Sequence, residues 1–456
     1  MTARRGELAA QARLAAPLAA QQVGMVAMGV VDTALLGHHD PAAMAGAGIA
    51  AGLTFAVSCV GIGTVMGLDP LIAQAIGAGE RARTPHQLAV GVRVAVRLGL
   101  VLTLVLLASP LLLTLGGVEP AVADAARVYV YARALAVVPH LVQVALRAFL
   151  QAHGHTRPMF VAAVVGNLVN GVADWILIFG DDGLADLGLP RIGLPAMGAL
   201  GAALATTAVT FVMLAIYLTA ARRVIRELPA PADDRDDPAM RRAIVRVGLP
   251  IGLQLFAEVA AFALAAVLAG RLGAAPAAAH QVAIQLASVS FAVALGIGGA
   301  AATRVGLAVG AGDARAARHA ARTSLALGAL VMASSAALFV IAPRPLAGLF
   351  GVPAGVSGAA ATLIQIAAVF QLSDGAQAIA AGALRGAGDT RAAFVANLLG
   401  HYAVGLPVAL IAAFALDRGA PGLWWGLTAG LTGTAVALVA RLWWLTGRPI
   451  TRAERR

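Results

Sequence analysis

ARRVIRELPAPADDRDDPAMRRAIVR, residues 221–246, is the longest polar stretch of the chain and falls midway along it. On either side the sequence runs in long apolar segments separated by short polar turns. A membrane helix needs about 20 mostly apolar residues. Segments of that kind fall near 14–37, 48–76, 87–113, 122–150, 158–180 and 194–220 before the polar stretch, and near 244–270, 281–309, 321–342, 357–384, 392–416 and 421–446 after it. The apolar runs are continuous, whereas a membrane β-barrel would alternate apolar and polar residues. The pattern therefore predicts an all-α membrane protein of about twelve transmembrane helices.

Composition agrees. Of 456 residues, 60% are hydrophobic and 12% charged, where soluble domains carry about 25% charged residues. That balance excludes an ordinary cytosolic enzyme, a disordered chain and a nucleic-acid binder. Cys59 is the only cysteine, so no intrachain disulfide or cysteine-based metal site is available. The opening MTARRGELAAQARLAAP lacks a cleavable-signal pattern and reads as the start of a mature membrane helix.

The arginines orient the helices. All 33 basic residues are Arg. With a cytoplasmic N-terminus, 22 of them fall on inner segments, among them Arg81, Arg83, Arg222, Arg235, Arg315, Arg385 and Arg456. Only Arg191, Arg271, Arg344 and Arg418 fall on outer loops. The positive-inside rule then places both termini in the cytoplasm of a multi-pass cell-membrane protein. The same bias accounts for the net charge of +11 without a nucleic-acid partner.

The halves repeat one another at an offset of about 233. GAGERARTPHQ from Gly77 matches GAGDARAARHA from Gly310, and LQAHGHTRPMF from Leu150 matches LRGAGDTRAAF from Leu384; Pro17 pairs with Pro250 and Gly37 with Gly270. Six spans per half insert in the same orientation. The organisation expected is an N-terminal six-helix lobe at 1–220, a cytoplasmic linker at 221–243 and a C-terminal six-helix lobe at 244–456. A pseudo-twofold axis along the membrane normal relates the lobes, and substrate binds between them. This is the symmetry of a carrier that works by alternating access, and one copy suffices, so a monomer is expected.

Ionisable groups inside a bilayer cost about 2.5–3.5 kcal/mol at a helix centre and are functional candidates by default. Glu258 lies midway along the seventh span, with Gln254 one turn before it on the same face. Asp374 lies within the tenth, with Gln371 and Gln377 three residues to either side. Asp32 is in the first span and Asp174 in the fifth, with Asn170 one turn earlier and Asn167 before that. Asp32 and Asp174 lie nearer the outer helix ends, where a carboxylate could also simply reach water. At the repeat offset Glu258 falls opposite Met25, Asp374 opposite His140, Asp32 opposite Ala265 and Asp174 opposite Val408. The scaffold is duplicated and the carboxylates are not, which predicts a different polar site in each lobe. His140 occupies an acid's equivalent position and could titrate near neutral pH or be a satisfied core histidine. Gln254, Gln281 and Gln371, with Phe256 and Phe291, are candidates for the substrate cavity. The pairs His38–His39 and His153/His155 have no acidic or cysteine companions, so no metal site is expected. GAGERA and GAGDTR lack the strand–loop–helix setting of a phosphate loop. No cofactor and no catalytic residue is expected.

The residues then match a known pattern. Pro17 with VDTALLG at 31–37, NGVADWILIFG at 170–180, GLPIGLQLFAE at 248–258, AAHQVAIQLASVSF at 278–291, RVGLAVGAGD at 304–313 and ALRGAGDTR at 383–391 resemble the multidrug and toxic compound extrusion (MATE) transporters, in particular their NorM-like branch. The resemblance implies export of amphipathic, often cationic, organic compounds by antiport with Na⁺ or H⁺. It places a C-lobe cation site on Glu258 and Asp374, and an N-lobe acidic site on Asp32, Asn170 and Asp174. The stretch GHYAVGLPVAL at 400–410 lacks the acid of its N-terminal counterpart. A lipid-linked flippase or polysaccharide exporter of the same superfamily is the alternative, but it would present a cationic cavity to its pyrophosphate head group. IGAGERARTPHQ bears only a faint likeness to the signature loop of a major facilitator carrier, and no nucleophile–base pair supports a membrane hydrolase.

Overall fold

A computed structural model describes residues 2–111, 117, 119–229, 237–449 and 451–455. Residues 112–113 of the third expected span, residues 230–236 of the expected linker, and Arg235 and Arg456 lie outside the described residues. The helices are α1 (Thr2–His39), α2 (Pro41–Val65), α3 (Leu68–Gly77), α4 (Thr84–Ala108), α5 (Pro120–Ala134), α6 (Val137–Ala152), α7 (Arg157–Phe179), α8 (Asp181–Asp186) and α9 (Gly198–Arg226). They continue with α10 (Pro238–Arg271), α11 (Ala274–Gly310), α12 (Ala314–Ile341), α13 (Pro343–Gly348), α14 (Ala354–Gly386), α15 (Thr390–Leu398), α16 (Leu406–Leu410) and α17 (Gly419–Thr446). No strand occurs among the described residues. Among the described residues, eleven spans are long and apolar enough to cross a membrane, and the bent pair α5–α6, taken as one span, makes a twelfth.

Local sequence explains the breaks. The single span expected at 122–150 is two helices meeting at 48°. Pro139, early in α6, has no N–H to donate and its ring crowds the carbonyl of Leu135, at the junction. Gly67 interrupts the second span, where a Cβ would meet the Ile244 carbonyl and the Gly248 backbone of α10. Helix reaches into both ends of the expected linker, since α9 runs on to Arg226 and α10 begins at Pro238. Asp237 caps α10, accepting the N–H groups of Ala239 and Met240 at 2.9 Å.

The chain forms two compact units. One comprises residues 1–22, 69–80 and 249–456, and the other Val23–Leu68 and Arg81–Gly248. These are not coextensive with the lobes at 1–220 and 244–456: α1 and α10 each pass from one unit to the other.

Specific contacts recruit residues 1–22 and 69–80 into the first unit. Glu7 pairs with Arg304 of α11 through two guanidinium donors, and the backbone at Ala19 runs against Gly296. Gln74 is buried; its Nε2 donates to the Gly386 carbonyl at 2.9 Å, and its Oε1 accepts the Ala453 N–H at 2.8 Å. Arg452 donates to Glu80 at 2.7 Å. A Cβ on Gly77 would land on the Leu307 carbonyl, and one on Gly310 would land on the Gln74 carbonyl. Leu307 and Gly310 are the repeat equivalents of Gln74 and Gly77. The contact is therefore reciprocal, as two-fold-related repeats require.

Within that unit α11 packs on α14 backbone to backbone. Gly382 meets the Gly298 carbonyl, Gly386 the Ala302 carbonyl and Gly298 the Ala378 carbonyl. Small residues permit this close approach, the means by which membrane helices gain contact where lipid offers no hydrophobic drive. In the second unit, Asp181 at the start of α8 gathers the returning loop by accepting the N–H groups of Leu194, Ile192 and Gly193, each at 3.0 Å.

Candidate cation sites in the two units

The second unit holds one acidic cluster. Asp32 projects from α1, Asn170 and Asp174 lie one turn apart on α7, and Thr206 comes from α9. The Asn170 amide donates to Asp32 Oδ1 at 3.0 Å and also to Asp174 Oδ2. Thr206 Oγ1 lies 3.0 Å from Asp32 Oδ2 as donor. Tyr129 of α5 is buried within hydrogen-bond reach of Thr206. Asp32, Asn170 and Asp174 are all buried, and the two carboxylates lie within hydrogen-bond reach of each other. They lie side by side in a low-dielectric setting. Asn170 Oδ1 and Asp174 Oδ1 are buried without a hydrogen-bond partner, so the cluster has acceptors to spare.

The first unit holds another, built differently. Glu258 comes from α10, Asp374 and Gln377 from one face of α14, and Asn397 from the end of α15. Gln377 Nε2 donates to Glu258 Oε1 at 3.1 Å and Asn397 Nδ2 to Glu258 Oε2 at 3.3 Å. Asp374 is buried within electrostatic range of Glu258. Gln377 Oε1 and Asn397 Oδ1 are buried without partners. Every donor at Glu258 is an amide, and each amide leaves its own oxygen free. After Asn397 the helix widens into i→i+5 turns over Leu399–Gly405 and again over Ile411–Ala415, a distortion common at functional sites. Tyr402, on the first of these, donates to the Ala257 carbonyl at 2.8 Å.

The five residues expected to line a substrate cavity differ in burial and partners. Gln371 donates to Ser335 of α12 at 3.1 Å, and Phe291 packs against Ala294, Met332 and Ala378. Gln254 is buried one turn before Glu258, while Phe256 and Gln281 are exposed. A void of about 20 Å³ near His401, Tyr402 and Leu264 has room for about one water. Asn167 turns back to the Ala163 carbonyl of its own helix at 2.8 Å. His140 is half-buried, near Arg133 and Arg147. Among the described residues no three His, Cys, Asp or Glu side chains converge as a metal centre. Thr206 closes the G-x2-GAALAT stretch at 198–206, which resembles the family's pattern but gives no role to the hydroxyl; the sequence carries no signal for Tyr129 or Asn397, and it marks Gln377 only by spacing.

A helical membrane protein of up to twelve spans, duplicated, with a buried acid–amide cluster in each compact unit, has the build of a membrane transporter. The chain belongs to the MatE family, whose pattern matches residues 17–176 and 250–411. It is 37% identical to the multidrug resistance protein NorM of Burkholderia vietnamiensis, covering 94% of this chain and 92% of that protein. It is 32% identical to the multidrug resistance protein MdtK of Edwardsiella ictaluri, covering 96% and 95%. The fold is shared with the crystal structure of the eukaryotic MATE transporter AtDTX14, at a TM-score of 0.85 and 22% identity over 96% of each chain. The protein is thus a multi-span membrane transporter and not an enzyme.

Proposed function

We propose that this protein is a multidrug exporter of the cell membrane, with both termini in the cytoplasm, that expels amphipathic, often cationic, organic compounds in exchange for inward Na⁺ or H⁺. The observation that carries the reading is the pair of buried clusters with unsatisfied acceptor oxygens, Asp32–Asn170–Asp174–Thr206 and Glu258–Asp374–Gln377–Asn397. Burial strengthens attraction between a carboxylate and any cation. An ion and a cationic drug therefore compete for the same negative charge, which is the physical basis of exchange. The carboxylates in mutual reach suit a proton, whereas the amide oxygens around Glu258 add the hard donors that Na⁺ favours. Names of the relatives support the drug substrates, and the arginine distribution supports the orientation. Acidic clusters speak against a lipid-linked pyrophosphate cargo.

The test is efflux of a fluorescent organic cation from proteoliposomes under an imposed Na⁺ gradient with pH clamped, followed by an imposed pH gradient. Efflux that follows Na⁺ and is lost in Glu258→Gln and Asp374→Asn assigns sodium to the first-unit cluster. Efflux that follows only the pH gradient and is lost in Asp32→Asn and Asp174→Asn assigns protons to the other. Normal gradient-driven efflux in all four variants would refute the coupling role.

A further inference from the structure

Four guanidinium groups stack on the two tryptophans at the end of α17. Arg318 and Arg322, one turn apart on α12, both lie over the Trp443 ring, 5.8 and 5.5 Å from its centroid. Arg441 and Arg448 lie over Trp444 at 4.3 and 4.0 Å. Arg441 already has a counter-ion, because its Nε donates to Asp389 at 2.7 Å. Among the described residues no carboxylate lies within salt-bridge distance of Arg318, Arg322 or Arg448, and the buried Nε of Arg318 has no hydrogen-bond partner.

Like charges one helical turn apart repel, and sharing one indole ring does not neutralise them. Stacking on tryptophan contributes about 0.5–1 kcal/mol at an exposed site, yet it brings both charges together over one ring. The place is short of negative charge, not of contacts. Depth indicates what supplies it. α12 begins at Ala314 and α17 ends at Thr446, so at 1.5 Å per residue all four side chains lie within about two turns of the ends of membrane helices. That is the level of lipid headgroups, where tryptophan is enriched. Two turns deeper, exposed Leu330 on α12 and exposed Val436 on α17 continue each helix as an apolar surface of the kind an acyl chain covers.

We propose that Arg318 and Arg322, held on Trp443, bind the phosphate of an anionic phospholipid in the leaflet at this end of the molecule. Two planar guanidinium forks match the phosphate oxygens bidentately, which an ammonium cannot do. Trp443 fixes their planes, and the lipid tails run down the exposed apolar faces of α12 and α17.

The experiment titrates the purified full chain with short-chain phosphatidylglycerol, phosphatidylcholine and inorganic phosphate, reading bound lipid by native mass spectrometry and thermal shift. Phosphatidylglycerol binds selectively to the wild type. Arg318→Gln/Arg322→Gln weakens that binding about thirty-fold, the worth of two arginines near an anionic lipid surface. Arg318→Lys/Arg322→Lys falls between the two, keeping charge and losing the forks. Arg222→Gln/Arg223→Gln, exposed at the end of α9, binds as the wild type does. Equal binding by the wild type and both double variants at 318 and 322 overturns the proposal. So does phosphatidylcholine binding as tightly as phosphatidylglycerol, or inorganic phosphate binding as tightly as the lipid.

Discussion

Gln74→Leu removes one hydrogen-bond donor and one acceptor from a buried position while roughly conserving volume. In the native chain the amide satisfies the Gly386 carbonyl at 2.9 Å and the Ala453 N–H at 2.8 Å. Gly386 ends α14, so its carbonyl has no partner within the helix. Leucine leaves both backbone groups orphaned, at about 1–3 kcal/mol each. Relief from burying an amide offsets part of this, so the expected loss is about 2–4 kcal/mol. A second substitution isolates the mechanism. Ala453→Pro deletes that N–H, and proline is tolerated at the first position of a helical turn such as Ala453–Arg455; the cost of its added ring atoms at this buried position is contained in the single variant. If Gln74 acts through that N–H, the double variant is more stable than the sum of the single losses implies, by about 1 kcal/mol or more. Thermal unfolding of the purified protein, followed by size-exclusion retention, measures all three. A Gln74→Leu variant within about 0.5 kcal/mol of wild type, or losses that add strictly, would refute the reasoning.

Two further expectations rest on backbone geometry and one charge. Gly382→Ala drives a Cβ onto the Gly298 carbonyl, where backbone cannot yield, and costs about 1–3 kcal/mol by overpacking. Gly433→Ala meets nothing within 4 Å and stabilises α17 by about 0.5–1 kcal/mol; melting temperatures of the pair should move in opposite directions. Asp181 lies outside the membrane spans, and the N–H groups of Leu194, Ile192 and Gly193 hold its carboxyl below the usual range. A lowered folded value means that its contribution is full above the unfolded value of about 3.9 and is lost as pH falls through the folded one. Protection of the amides at 192–194, measured against their intrinsic exchange rates, should hold at neutral pH, fall away only once pH drops below the usual carboxylate value of about 3.9 and through the lowered folded one, and be absent at every pH in Asp181→Ala.

The acids are legible in the sequence because each interrupts an apolar run at a cost that demands a reason. Asn170 and Asp174 are further marked by their one-turn spacing. Thr206 and Tyr129 carry no such mark: a hydroxyl satisfies itself cheaply in an apolar helix, so neither stands out until α5, α7 and α9 are packed. Asn397 belongs to a span that leaves regular α-helical register at Leu399, which no fixed offset or 3.6-residue period anticipates. Glu258, by contrast, lies on the buried face of α10 as its sequence setting implies, whereas Phe256, two residues before it, is exposed. Apolar character alone does not separate a cavity wall from a surface turned to lipid.

The Gln74 amide also sets an order of events during synthesis. Its two partners follow it by 312 and 379 positions. At about 5–20 residues per second, the ribosome delivers the second roughly 20–75 s after the glutamine. Until then the Oε1 of Gln74 has water as its available donor, while its Nε2 can already meet the Gly386 carbonyl. A polypeptide halted before Ala453 carries an unfilled polar group beside an otherwise apolar helix. The contact at Ala453 thus joins two parts of the chain that leave the ribosome far apart in time.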